Sequence, residues 1–383
     1  MARTHQAWRL NARLGAKGGT RVRARQGCYA PAWSSAPPAD SPGSDRRCGP
    51  KCQRAFAPCK VRAGLRGNLA RTVSNVEPLE RRVSTAIDRV VAIANAKGGA
   101  GKTSIAANVG GVAAASNYRV LLCDLDPQGN LERDLGYRTR SDKGESLVDA
   151  LRTGKADRVT VLRSVRENLD VIAGGVQLED WQAIANSPGR ITSAATALTS
   201  LLGNFASRYD LILLDCPPGN RLLQQQALTA ARFVVIPSKT DAASIDGVEG
   251  VATVFNLVEP LNPDVEALGV VLFGITSTAS AVRRKAEIDV NHTFGTPDVL
   301  FHTAIRHSEK VAQDCRERGQ LVIEYEADLE GQLGYWAARK AGKEVQRLSA
   351  ASRGLAEDYV RLTEEIVARR AAALTSALAS VAG

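Results

Sequence analysis

No apolar run in this sequence approaches the length of a membrane span. The longest, such as Leu211-Ile212-Leu213-Leu214, fall far short of the roughly 20 residues that a spanning helix needs, which excludes a transmembrane helix. Residues 1–71 also lack the apolar stretch of a secretory signal. Cysteines number seven, an odd count, and Cys123 and Cys216 sit in apolar runs beside acidic residues, where a disulfide framework does not fit. The expectation is a reducing, cytosolic compartment. Cys48, Cys52 and Cys59 cluster, but three thiols with His5 remote do not match a zinc ligand set. There is no internal repeat.

Outside its first segment the chain also lacks an excess of positive charge. The formal net charge is +10, yet residues 1–71 hold 15 Lys/Arg against 2 Asp/Glu, a balance of +13. The other 312 residues hold 35 against 38, a balance of −3. Any DNA binding by that larger part must therefore come from a local patch, because its overall charge does not attract a polyanion. Residues 1–71 are rich in Arg, Gly, Pro, Ser and Ala, as in Ala36-Pro37-Pro38-Ala39-Asp40-Ser41-Pro42-Gly43. Such a composition buries too little apolar surface to order itself, so a disordered basic extension is expected there. A single domain is expected over residues 72–383.

What is present from Val73 onward is an alternation of short β-branched runs with longer segments of helical period. The spacing predicts strands at Val90–Asn95, Arg119–Cys123, Leu169–Ile172, Leu211–Asp215, Phe233–Ile236 and Leu268–Phe273. It predicts helices over Thr103–Ala115, Ile191–Phe205, Ala242–Leu257 and Ala281–Phe294, and a terminal helix over Leu355–Ala379. The expected fold is α/β: a doubly wound, mostly parallel sheet with helices on both faces.

The chemistry concentrates where the first of these strands meets the first helix. Ala96-Lys97-Gly98-Gly99-Ala100-Gly101-Lys102-Thr103 has the strand–loop–helix context of a phosphate loop. Glycines let the backbone amides turn inward around a phosphate, and the helix N-terminus adds partial positive charge. Lys102 can reach the β/γ oxygens, and the Thr103 hydroxyl can coordinate Mg²⁺. The nucleotide-binding set is thus Gly98, Gly99, Ala100, Gly101, Lys102, Thr103 and Ser104, joined by Asp124. Ala96 replaces the usual first glycine, and Lys97 adds a lysine at the loop's mouth, from which it could extend to a nucleotide held by a second subunit. Two further acidic strand ends complete the set. Asp124 and Asp126 emerge from Arg119–Cys123, and Asp215 closes an apolar strand, where it can hold Mg²⁺ with Thr103.

Taken with Asp124-Leu125-Asp126-Pro127-Gln128-Gly129-Asn130, Asp215-Cys216-Pro217-Pro218 and Val234-Val235-Ile236-Pro237, the loop makes the chain resemble the ParA/Soj family of deviant Walker ATPases, from about Arg89 to Val367. The resemblance implies ATP and Mg²⁺ as cofactors, with Lys97, Lys102 and Asp126 as catalytic residues. Lys97 would act in trans, Asp126 would position the attacking water, and Asp124 would support the loop lysines. It also implies a homodimer on ATP binding, non-specific contact with double-stranded DNA, and slow hydrolysis stimulated by a ParB-type centromere-binding protein. The setting implied is cytoplasmic and nucleoid-associated.

Basic residues for DNA fall in two places. Lys310, Arg316 and Arg318, with Arg306 nearby, lie in the segment Thr303–Gln320, and Arg283, Arg284 and Lys285 open a helix. The bland alternative for the first is a solvated helix face, because Glu309, Asp314 and Glu317 interrupt it. A membrane-docking relative of the MinD type would end in a basic amphipathic helix, whereas Arg369–Ala379 has little apolar bulk and no aromatic. Protein positioning of the MinD type, or a nucleotide-switched adaptor with little hydrolysis, remain the alternatives to DNA partitioning.

Overall fold

The computed structural model describes residues 86–185, 187, 191–240, 242–275, 280–294, 299–330 and 351–382. Residues 1–71, with Cys48, Cys52 and Cys59, lie outside the described residues, as does part of the loop after Ile275.

Eight strands form one sheet: β1 (Ile87–Ile93), β2 (Val120–Asp124), β3 (Val161–Arg166), β4 (Leu169–Ile172), β5 (Leu211–Asp215), β6 (Ala231–Ser238), β7 (Glu266–Ile275) and β8 (Ile305–Arg306). Their order is β3-β4-β2-β5-β1-β6-β7-β8. Only β3 runs antiparallel to its neighbour. The helices are α1 (Lys102–Ala115), α2 (Leu131–Leu135), α3 (Glu145–Thr153), α4 (Leu178–Ala185), α5 (Ile191–Gly203), α6 (Arg221–Ala230), α7 (Ala242–Val258), α8 (Ser280–Phe294), α9 (Glu309–Arg318), α10 (Val322–Glu330) and α11 (Ser352–Ala382). No helix among them is long and apolar enough to cross a membrane.

The central strands carry unbroken apolar runs, Val90–Ile93, Val120–Cys123, Leu211–Leu214 and Phe233–Pro237, because both of their faces are covered. Val90, Ala92, Ile212, Leu214, Val234 and Ile236 point into one core with α3 to α7. Val91, Ile93, Leu211, Leu213, Phe233 and Val235 point into a second with α1, α9, α10 and α11. That is the doubly wound arrangement the sequence predicts. Helix α1 has buried residues all round, Ile105, Val109 and Val112 among them, and so shows no amphipathic stripe.

Predicted and observed elements agree in identity and differ at their ends. Leu169–Ile172 and Leu211–Asp215 coincide with the prediction, whereas β6 and β7 are longer because pairing with each other draws flanking residues into the ladder. Strand β3, half-exposed and charged, and the two-residue β8 carry too little apolar pattern to be predicted. Both depend on distant partners. Beside β8, Asp358 of α11 accepts from the Arg306 amide at 3.1 Å and from its guanidinium at 2.7 and 2.9 Å. Glu365 accepts from the amides of His302 and Thr303 at 2.9 and 3.0 Å.

The Asp358 side chain is 6% exposed, so it relies on those donors. Arg306→Ala is expected to destabilise the protein by about 1–2 kcal/mol, the pair being partly open to water and Arg361 remaining as a second partner. Denaturant unfolding checks this, and an unchanged midpoint would show that the pair contributes nothing.

Candidate active site

Every acidic and basic group singled out in the strand–loop motifs emerges at the carboxyl ends of β1, β2 and β5, where open α/β sheets bind ligands. The phosphate loop is clamped from both sides. On one, the Asn95 side chain donates to the Pro237 carbonyl at 2.5 Å, and the Ala94 amide donates to Val235 at 3.0 Å. On the other, the Cys216 amide donates to Ile93 at 3.2 Å, and the Gly219 amide donates to Ala96 at 3.1 Å. The loop closes on Gly101, which precedes α1 with φ 89°. A Cβ there would stand 2.4 Å from the Phe273 ring, so both backbone angle and space demand glycine.

Within the loop, the Lys97 amide donates to Asn95 Oδ1 at 2.7 Å, and the Lys102 ammonium donates to the Lys97 carbonyl at 3.0 Å. Lys102 is buried, and that burial lowers its pKa, with Asp215, Cys216 and Asp126 partly offsetting the effect. Lys97 is half-buried. The Ser104 hydroxyl donates to Asp134 Oδ2 at 3.5 Å and accepts from the Arg316 guanidinium at 3.3 Å.

The carboxylates form the unusual part. Asp124 and Asp215 are opposite each other in the β2–β5 ladder and are buried. Asp124 Oδ1 accepts from the Asp126 amide at 2.9 Å, which shapes the following turn, but its Oδ2 has no partner. Neither oxygen of Asp215 has one. Burial, and then Asp215, push the Asp124 carboxyl well up. Burial raises Asp215 to about 7, an effect the neighbouring Thr103 hydroxyl only partly reverses. Orphaned acceptors of this kind, beside a threonine hydroxyl and a lysine, fit a hard divalent cation with oxygen ligands. The Thr103 hydroxyl and the Asp215 carboxyl lie side by side there.

Asp126 Oδ1 accepts from the Gln128 amide at 2.9 Å, and the carboxyl lines a cleft of about 390 Å³ with Gln128, Glu179, Gln182, Pro218 and Asn220. Two features escape the motifs. Gly174, after β4, lies so close to Asp124 that a Cβ would come within 2.5 Å of its carbonyl oxygen; the Gly174-Gly175 pair at a strand end was the available signal. The Arg316 guanidinium pairs with buried Asp134 at 3.0 Å.

The comparisons follow the same residues. A family model described as an AAA domain matches residues 88–267. The sporulation initiation inhibitor protein Soj of Bacillus subtilis is 36% identical over 246 residues, covering 63% of this chain and 93% of Soj. The chromosome partitioning protein ParA of Caulobacter vibrioides is 33% identical over 250 residues, covering 64% and 91%. The chain belongs to the ParA/Soj family of P-loop ATPases. Cobyrinic acid a,c-diamide synthase of Mycobacterium smegmatis, solved with an ATP analogue and magnesium, has a TM-score of 0.51 at 26% identity over 68% of this chain and 99% of that one. McdA of Cyanothece, solved with ATP, shares the fold with a TM-score of 0.55 at 20% identity over 69% and 100%.

The candidate DNA residues of this ParA/Soj chain are dispersed. Arg284 and Lys285 are exposed on α8, where Arg283 also lies, its side chain outside the described residues. Lys310 is exposed on α9. Arg318 stacks over Tyr325, 5.5 Å from the ring centre.

A carboxyl raised to about 7 in the folded chain keeps a proton that the unfolded chain releases near 3.8, so the free protein loses stability as pH rises between those values. Asp215→Asn removes that penalty and is expected to stabilise the free protein at about pH 8 by on the order of 1–2 kcal/mol while abolishing the further stabilisation by Mg²⁺ and ATP together. Thermal unfolding with and without Mg²⁺ and ATP checks both effects; a variant that still gained stability from the pair would remove Asp215 from the cation site.

Proposed function

We propose that the protein is a Mg²⁺-dependent ATPase that dimerises on ATP, binds double-stranded DNA without sequence preference and partitions a DNA cargo with a ParB-type partner. The observation that carries the nucleotide part is the buried pair Asp124 and Asp215 with orphaned oxygens beneath a lysine-bearing phosphate loop. The family relatives named for chromosome partitioning support the rest.

In this reading the amides of Gly98 to Thr103 and the start of α1 hold the phosphates, and Lys102 exchanges the Lys97 carbonyl for phosphate oxygen. Thr103 and Asp215 would hold Mg²⁺, which would supply positive charge to the phosphates. Asp126, with its carboxyl fixed by the Gln128 amide on the wall of the cleft, orients water for attack. Lys97 supplies positive charge across the dimer to the transition state, so basal turnover is slow until a partner orders the interface. On DNA, the exposed Lys310, Arg284 and Lys285 serve as phosphate contacts, with Arg283 and Arg318 beside them. Arg316 is committed in part to Asp134 and contributes less. Residues 1–71, the basic extension, carry no part of this reading.

Residues 73–383, which omit that extension, are expected to bind non-specific DNA only with ATP and to lose affinity steeply with salt, and Lys310→Glu with Arg318→Glu to reduce both the affinity and the salt slope. ATP-independent binding, or none while ATP is hydrolysed, would turn the reading toward a protein-positioning ATPase. Lys97→Ala is expected to lower turnover at least about a hundredfold while ATP binding persists. Partner-stimulated turnover that survives in that variant would remove the lysine from its role in trans.

A further inference from the structure

Besides Lys97 and Lys102, a third lysine stands at the phosphate loop. Lys239 follows β6, whose end is fixed against the loop by the Asn95–Pro237 bond of 2.5 Å and the Ala94–Val235 bond of 3.0 Å. The last residue of that strand, Ser238, is buried, and its hydroxyl donates to the Lys239 carbonyl at 3.1 Å. The backbone from which Lys239 projects is therefore set by the same contacts that set the loop. Its side chain is exposed, and its ammonium lies 3.7 Å from where a Cβ on Gly99 would stand. Gly99 has φ 71° and is the turn of the loop.

The ammonium has no carboxylate partner among the described residues. The acidic groups of the site, Asp124, Asp126 and Asp215, stand at the ends of β2 and β5, on the opposite side of β1 from β6. A cation held over a loop that turns its amides toward phosphate has a natural counterpart in phosphate oxygen, because charge-assisted contacts are the strong ones. We propose that Lys239 is a further nucleotide-binding residue, its ammonium contacting the polyphosphate of a nucleoside triphosphate at the loop's mouth. This rests on the nucleotide-binding reading of the same site and extends it to a residue outside the loop motif. Val234-Val235-Ile236-Pro237 points toward this strand end but stops two residues short of the group that acts.

The test is direct titration of full-length protein with Mg²⁺ and ATP, comparing Lys239→Ala, Lys239→Gln and Lys239→Arg with wild type, and with Lys102→Ala as reference. Because Lys239 is exposed, unfolding temperatures without nucleotide are expected to match wild type. Ala and Gln are each expected to weaken ATP binding about tenfold, and Arg to restore it to within about threefold. A packing or hydrogen-bonding role would be met by the neutral glutamine, so wild-type affinity in Lys239→Gln overturns the proposal. Failure of Arg to restore affinity overturns it as well. Wild type that binds no ATP would instead sink the nucleotide reading itself, whereas wild type that binds while only Lys102→Ala fails leaves that reading standing and removes Lys239 from it.

Discussion

Two carboxylates facing each other across one rung of a buried parallel ladder cannot both ionise in a dry interior at low cost. Asp124 and Asp215 are placed this way by the β2–β5 register, and the surroundings are built around that expense. The Asp126 amide satisfies one oxygen, a glycine at position 174 makes room, Lys102 and Thr103 supply positive charge and a hydroxyl nearby, and three oxygens are left unsatisfied. A folded chain keeps such a penalty only where something outside the polypeptide removes it. The site is therefore incomplete by construction, and the affinity for a cation and its polyphosphate is the counterpart of stability given up in their absence.

That trade explains why the site was legible in sequence while much around it was not. The loop, Asp124, Asp126 and Asp215 announce themselves because each is a polar residue closing a run that must be apolar on both faces. The sheet was legible for the same reason. Contacts made across the chain left no local trace: Arg316 meets Asp134 from 182 residues away, so a basic residue counted toward a DNA-facing patch turns out to be partly engaged with the helix that follows the acidic turn. Strand β8 and Lys239 were hidden differently, the one too short to show a period and the other outside any motif.

The arrangement also joins two surfaces that would otherwise be independent. Ser104, on the first turn of α1, shares Asp134 with Arg316 of α9, the helix that presents Lys310. A change at the start of α1 thus has a short polar route to α9, through groups held in place by a buried carboxylate. Double-mutant cycles between Ser104 and Arg316 measure the coupling that this route carries.

The latch between β8 and α11 has a consequence for how the chain comes to be folded. Apart from Phe273, which packs against Gly101, the groups described at the phosphate loop precede residue 240, whereas the edge beyond β7 is held by Asp358 and Glu365 from the last helix. On a ribosome the nucleotide pocket can be assembled while that edge still awaits its fastener, since contacts of long sequence separation close last. A nascent chain would then bring together most of the groups around its phosphate loop before the edge beyond β7 is fastened.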